Sequence, residues 1–158
     1  MKTIKARNKK AKYDYFLSNH LECGMQLVGF EIKSVQAGHI DLTGSYVTIH
    51  NNEVFLLNCT ISELKYNDFF NNHKLEELSI KGEYELSNRP KKLLLHKKEI
   101  KKFKKMLDKK SATLIVEDIY ANDNNKIKCT LCLGVGKNKQ DKRETIKERD
   151  IQRSNSFI

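Results

Sequence analysis

Four cysteines, five histidines, 20 carboxylates and 30 lysines and arginines are the groups in this 158-residue chain that could do chemistry. Cys129 and Cys132 stand at the C-x-x-C spacing of metal and redox sites. The surrounding run, Lys126 to Leu133, reads as a strand, where residues three apart point to opposite faces. No glycine or proline supplies a turn between the two, and no second C-x-x-C or paired histidine completes a four-ligand set. The pair is therefore expected to pack, as buried free cysteines do, with the reduced thiols of a cytosolic protein. His20, His39, His50, His73 and His96 are scattered, none at H-x-x-x-H spacing. A metal-dependent nuclease wants clustered carboxylates. The acids here cluster only in 63–85, with no histidine at ligand spacing. Gly134-Val135-Gly136-Lys137 follows a strand and precedes no apolar helix, which makes it a weak phosphate loop. No catalytic residue, metal or cofactor is expected, and no enzyme.

The cations are more informative. Lysine and arginine exceed acids by ten. Residues 1–12 carry six basic residues and no acid, 88–110 carry eleven against two, and 137–153 carry seven against four. The middle, 41–87, has three basic residues and eight acids. So polarised a charge distribution suits a polyanion, nucleic acid first and an anionic membrane second. No apolar run approaches the roughly 18 residues of a membrane-spanning helix, and the basic N-terminus lacks the apolar core of a secretory signal.

These residues need elements to position them. Residues 1–12 read as a basic arm, Tyr13 to Leu17 as a short aromatic strand whose Tyr15 and Phe16 pack inward, and Met25 to Val28 as a second strand. Phe30 to Ala37 reads as a short helix ended by Gly38. Ser45 to Ile49, Asn51-Asn52, then Glu53 to Asn58 is a hairpin. Residues 62–88 read as an acidic loop or insertion. Lys92 to Leu95 is a brief strand after the single proline, Pro90. Lys97 to Lys110 is a helix with Ile100, Phe103, Met106 and Leu107 on one stripe and lysines elsewhere. Thr113 to Tyr120 and Lys126 to Val135 form a second hairpin. Short antiparallel strands with inserted helices favour a mainly β fold, an OB-like closed antiparallel β-barrel, spanning 1–136.

The tail, 137–158, has too few apolar residues to bury much surface and is expected to be disordered alone. Asp141, with Glu144 three residues later, reads as a helix N-cap. A basic, helix-capable tail suits folding upon a polyanionic partner.

Asn8-Lys9-Lys10-Ala11-Lys12-Tyr13-Asp14-Tyr15-Phe16, then Glu22-x-Gly24, then Gly29 to Gly38 and Ser45-Tyr46, closely resemble the small protein B family of tmRNA-binding (SsrA-binding) proteins. The resemblance continues in Arg89-Pro90-Lys91-Lys92-Leu93-Leu94-Leu95-His96-Lys97-Lys98-Glu99-Ile100, in Gly134 to Lys137, and in Asp141 to Asp150. The motifs stand in the family's order over nearly the whole chain.

The resemblance implies an OB-like barrel with inserted helices and a tail that becomes helical on the ribosome. It implies that the protein binds the tRNA-like domain of tmRNA and delivers it to stalled ribosomes for trans-translation, without catalysing a reaction. The tail would probe the empty mRNA channel near the small-subunit RNA of the decoding centre. An elongation factor carrying the charged tmRNA is a further implied partner; the protein would be a cytoplasmic monomer without a membrane. By the family's pattern Asn8, Lys9, Glu22 and Leu94 map to the tmRNA surface, with Lys10, Lys12, Lys33 and Lys92 as phosphate contacts beside them. Glu22 is either a specific acceptor for an RNA donor or the partner of a neighbouring lysine, and Leu94 either a contact or core. In the tail, Lys137, Lys139, Asp141, Lys142, Arg143, Lys147 and Arg149 match the ribosome-facing run, with Asp141 as the cap. Gln140 stands where the pattern commonly carries an aromatic ring or histidine, and the 62–88 segment is longer and more acidic than the family's loop. The rival reading is a general OB-fold RNA-binding or ribosome-associated protein without a rescue role.

Overall fold

The computed structural model of the protein describes residues 2–62, 88–109 and 111–155. The expected 62–88 loop lies almost wholly outside these residues. The elements run β1 (Thr3–Arg7), α1 (Lys9–Asp14), β2 (Tyr15–Gln26), α2 (Gly29–Gln36), β3 (Ile40–Asp41), β4 (Tyr46–His50), β5 (Glu53–Leu57), β6 (Thr60–Ile61), β7 (Lys91–Leu94), α3 (Lys97–Lys109), β8 (Ala112–Ala121), β9 (Ile127–Gly136) and α4 (Lys139–Asn155).

Seven strands lie side by side in the order β1-β8-β4-β5-β7-β2-β9, every pairing antiparallel. β8 pairs with β9 as well, and β3 and β6 form a separate pair. Local chemistry fixes the connections. Asn51 and Asn52 both take positive φ, 50° and 60°, which gives the β4–β5 hairpin a turn whose twist matches its strands. Gly38, at φ 83°, ends α2: its N–H donates to the Val35 carbonyl and the His39 N–H to the Ser34 carbonyl. That is the Schellman pattern, which satisfies two carbonyls the helix leaves open. Asn122 turns β8 into β9 by accepting from the N–H groups of Asn124 and Lys126.

The main core lies on the inner face of the strands. Cys23, Leu56, Leu93, Leu131 and Leu133 meet α2 through Val35 and α3 through Ile100 and Phe103. Met106 and Leu107 pack against this core from the edge of the expected stripe. Cys129 belongs to this cluster and Cys132 to a second, smaller one with Ala11 and Ile115, so the two cysteines point to opposite sides of β9.

Several expectations need correcting. Residues 1–12 are not a free arm: β1 pairs with β8, and Asn8 opens α1. Tyr13 belongs to α1, and the two short strands expected at 13–17 and 25–28 are one, β2, which runs through Asn19 on an irregularity in its register. Phe16 is not core. It is about half exposed, because it alternates outward from Tyr15 and Leu17, which pack on the smaller cluster. Lys137 lies over its ring at 5.1 Å.

The tail cap also moves. Asn138 Oδ1 accepts from the Asp141 N–H at 2.9 Å, and Asp141 Oδ2 accepts from the Asn138 N–H at 3.3 Å. The reciprocal pair is a capping box with Asn138 as N-cap and Asp141 in the third helical position, so the cap stands three residues before the one expected at Asp141.

Candidate nucleic-acid interface

α1 exists because of Asn8. Its side chain accepts from the Ala11 N–H at 3.1 Å and donates to the Val116 carbonyl at 3.2 Å, while its own N–H donates to the Glu117 carbonyl. Asn8 is therefore buried and committed to protein groups. That places it as the residue that anchors α1, not as a side chain offered to a ligand. Lys9, Lys10 and Lys12 stand exposed along the helix it anchors. Lys12 lies 3.4 Å from Glu117, and Lys10 borders a recess with Asp14 and Tyr46.

The second group forms on the outer face of β7, β2 and β9. Directly opposed residues of antiparallel strands share a face. Gly24 opposes Leu94 on one side and Lys128 on the other; Gln26 opposes Lys92, and Glu22 opposes Thr130. The register thus assembles Glu22, Lys92, Leu94 and Lys128 on one strip. Leu94 is about half exposed, so it is a surface residue and not core. Gly24 gives it that place, because the glycine has no side chain to contest the space above it.

Glu22 sits among donors. Lys2 is 3.3 Å away and Lys128 3.5 Å. The nearby Tyr120 phenol, then Lys2 and the charge of Lys128, hold its carboxyl below the ordinary value. The Tyr120 phenol is pushed upward in turn, first by burial and then by Glu22. Glu22 is thus an ionised acceptor at neutral pH that organises two lysines on its own surface. Lys92 pairs with Glu53 at 3.1 Å. Exposed pairs of this kind are weak, so their cations exchange readily for phosphate.

Beside the strip runs a groove of about 900 Å³. Its lining combines Leu27, Ile32, Leu94 and Leu95 with Lys92, Lys97, Lys126 and Lys128. Aliphatic surface for the faces of nucleobases, bordered by ammonium groups for phosphates, is the combination an RNA site needs. Lys33 is exposed on α2, in the residue after Ile32, where its carbonyl accepts the closing bond from Ala37.

Sequence reasoning missed Lys2, Lys126 and Lys128. Alternation in β9 does signal that Lys126, Lys128 and Thr130 share a face, but only the register against β2 says which residues join them.

The tail residues form a third group. The Lys137 N–H donates to the Asp14 carbonyl, and its ammonium to the Lys12 carbonyl and to Thr145 Oγ1. Lys142 pairs with Asp14 at 3.3 Å and lies 5.7 Å from the centre of the Tyr13 ring. The first turns of α4 therefore dock on α1. Arg143 and Lys147 are exposed, Arg149 is partly so, and Lys139 lies in the first turn.

The model of one protein family, described as SmpB protein, matches residues 5–157. An SsrA-binding protein of Rickettsia bellii (strain OSU 85-389) is 41% identical over 157 residues, 99% of this chain and 95% of its own. One of Orientia tsutsugamushi (strain Boryong) is 37% identical over 155 residues, 98% of this chain and 93% of its own. A solved structure described as "tmRNA-SmpB: a journey to the center of the bacterial ribosome" superposes with a TM-score of 0.63 at 30% identity. That superposition covers 89% of this chain and 93% of the other.

Proposed function

From the premise that the chain belongs to the SmpB protein family, we propose that it binds the tRNA-like domain of tmRNA and delivers it to stalled ribosomes for trans-translation. The observation that carries this is the family match from residue 5 to residue 157, which takes in the exposed strip and the tail together. The likeness to a tmRNA-SmpB complex supports it.

Within that function the residues divide by chemistry. Lys9, Lys10, Lys12, Lys33 and Lys92 neutralise phosphates and supply affinity without reading sequence. Glu22 accepts a specific RNA donor, since a carboxylate in a basic site otherwise opposes binding, and Leu94 packs on an unstacked base. Asn8 acts through α1, which it anchors. The tail residues Lys137, Lys139, Asp141, Lys142, Arg143, Lys147 and Arg149 serve the ribosome, in the mRNA channel near the decoding centre. The tail, helical over Lys139–Asn155 and held to α1 through Lys137 and Lys142, would trade those contacts for ribosomal ones there. The β8–β9 pairing supports reading the strands as a closed OB-like barrel. The protein works as a monomer in the cytoplasm beside an elongation factor that carries the charged tmRNA. It makes no bond itself.

The test is affinity for tmRNA against a length-matched control RNA over a salt series. A preference for tmRNA that survives moderate salt is expected, with Glu22→Ala weakening tmRNA more than the control. Equal affinities that fall together with salt would reduce the protein to a charge-driven RNA binder.

A further inference from the structure

Two irregularities of register face each other across β9. On β2, Ser18 pairs with Leu133 and Leu21 with Leu131, so Asn19 and His20 together stand opposite Cys132. Asn19 takes φ 53° to allow it. On the other flank, β8 pairs Val116 with Leu131 and Asp118 with Thr130, which leaves Glu117 as the extra residue. Bulges re-aim side chains, and these two bring His20 and Glu117 to the thiol between them. One ligand atom each from His20, Glu117 and Cys132 lies within 4.8 Å of the others.

We propose that His20, Glu117 and Cys132 form a binding site for a divalent cation of borderline softness, with Zn2+ as the type. The donor set fits: imidazole, carboxylate and thiolate are the three ligand classes that Zn2+ takes. The His20–Glu117 spacing fits as well. Ligands ~2.0–2.1 Å from a tetrahedral metal lie about 3.3 Å from one another, and His20 Nε2 is 3.1 Å from Glu117 Oε2. Access is from solvent through His20, which is nearly half exposed, while Cys132 is fully buried and closes the floor. A water takes the fourth position.

Binding has two competitors. The Cys132 thiol is held protonated, its pKa pushed up to about 12, chiefly by burial, and it donates to the Ile115 carbonyl. The metal forms a bond to sulfur as the S–H bond breaks, and that proton leaves to water. Lys12 occupies the other oxygen of Glu117 at 3.4 Å and is displaced toward solvent by the incoming charge. No spacing motif marks this trio, because its members come from three strands.

The test titrates the full-length protein, reduced with a phosphine, with Co2+ as a spectroscopic stand-in for Zn2+. A near-ultraviolet sulfur-to-cobalt charge-transfer band is expected, saturating at one equivalent and reversed by Zn2+. Cys132→Ser should abolish that band. His20→Ala alters an exposed residue and leaves the fold intact; it should raise the Co2+ midpoint by at least about tenfold. Absence of the band in the wild type would overturn the site. So would a band that persists in Cys132→Ser, or a His20→Ala midpoint equal to the wild type's.

Discussion

Gly24 and Leu94 face each other across the β2–β7 ladder, so closely that a Cβ on Gly24 would lie 3.3 Å from Leu94 Cδ1. The contact is to the end of a side chain that is about half exposed, and such an end can swing away. Gly24→Ala should therefore leave stability within about 1 kcal/mol of the wild type, since alanine also removes backbone freedom from the unfolded chain. It should redirect Leu94 and lower tmRNA affinity several-fold. Thermal melting and tmRNA binding on the same protein check both halves. Unchanged binding would remove Leu94 from the contact surface.

Periodicity made α3 and both hairpins legible, because a 3.6-residue stripe and a turn between alternating runs are local signals. The family's pattern mapped Glu22 and Leu94 to one surface, but not how the strands bring them together. That depends on the register of β2 against β7, a relation between residues about 70 positions apart that no local signal encodes. Asn8 shows the opposite limit. Its residue type suits both an RNA contact and a helix cap, and only the Val116 carbonyl 108 residues away decides for the cap.

Arg89 and Glu31 form an ion pair buried between α2 and the segment leading into β7, with side chains only 14% and 1% exposed. The same Glu31 oxygen accepts from the Val28 N–H at the start of α2. Removing one member of a buried pair strands the other charge at a cost of about 3–5 kcal/mol. Arg89→Met should lose about that much in urea unfolding. Arg89→Met with Glu31→Gln should lose clearly less, because no charge is then left alone. Equal losses in the single and double variants would show that the guanidinium acts by packing.

Cys59 and Lys91 give the core opposite responses to pH. Burial pushes the Cys59 thiol up to about 11. An unfolded cysteine ionises near about 8.5, so above that pH the unfolded chain binds fewer protons than the folded one. Stability is lost as pH rises from there through about 11, at up to about 1.4 kcal/mol per pH unit for this group. Lys91 is fully buried with its ammonium donating to the Cys59 carbonyl at 2.6 Å, and burial holds its pKa below the ordinary lysine value. The unfolded chain binds more protons there, so Lys91 adds stability as pH climbs from its lowered pKa toward about 10.4. Cys59→Ala should make the slope of unfolding free energy between pH ~8.5 and ~10 less negative, and Lys91→Met should make it more negative. Parallel slopes in all three proteins would show that neither group titrates on unfolding.

Asp14 holds the tail to the body of the protein. Its carboxylate pairs with Lys142 and its carbonyl accepts from the Lys137 N–H. The side-chain half of that tether is an ion pair about one-quarter to one-third exposed, which a competing polyanion can displace. Asp14→Ala keeps the backbone bond and removes the pairing. Amide exchange in 139–147 should speed up several-fold, while exchange in β8 and β9 is unchanged, because no described side chain of α4 belongs to the buried core. Affinity for tmRNA should stay near the wild-type value if the tail serves the ribosome and the strip serves the RNA. A fall in tmRNA affinity matching the gain in exchange would instead mean that the docked tail completes the RNA surface, and that the two halves of the chain act as one.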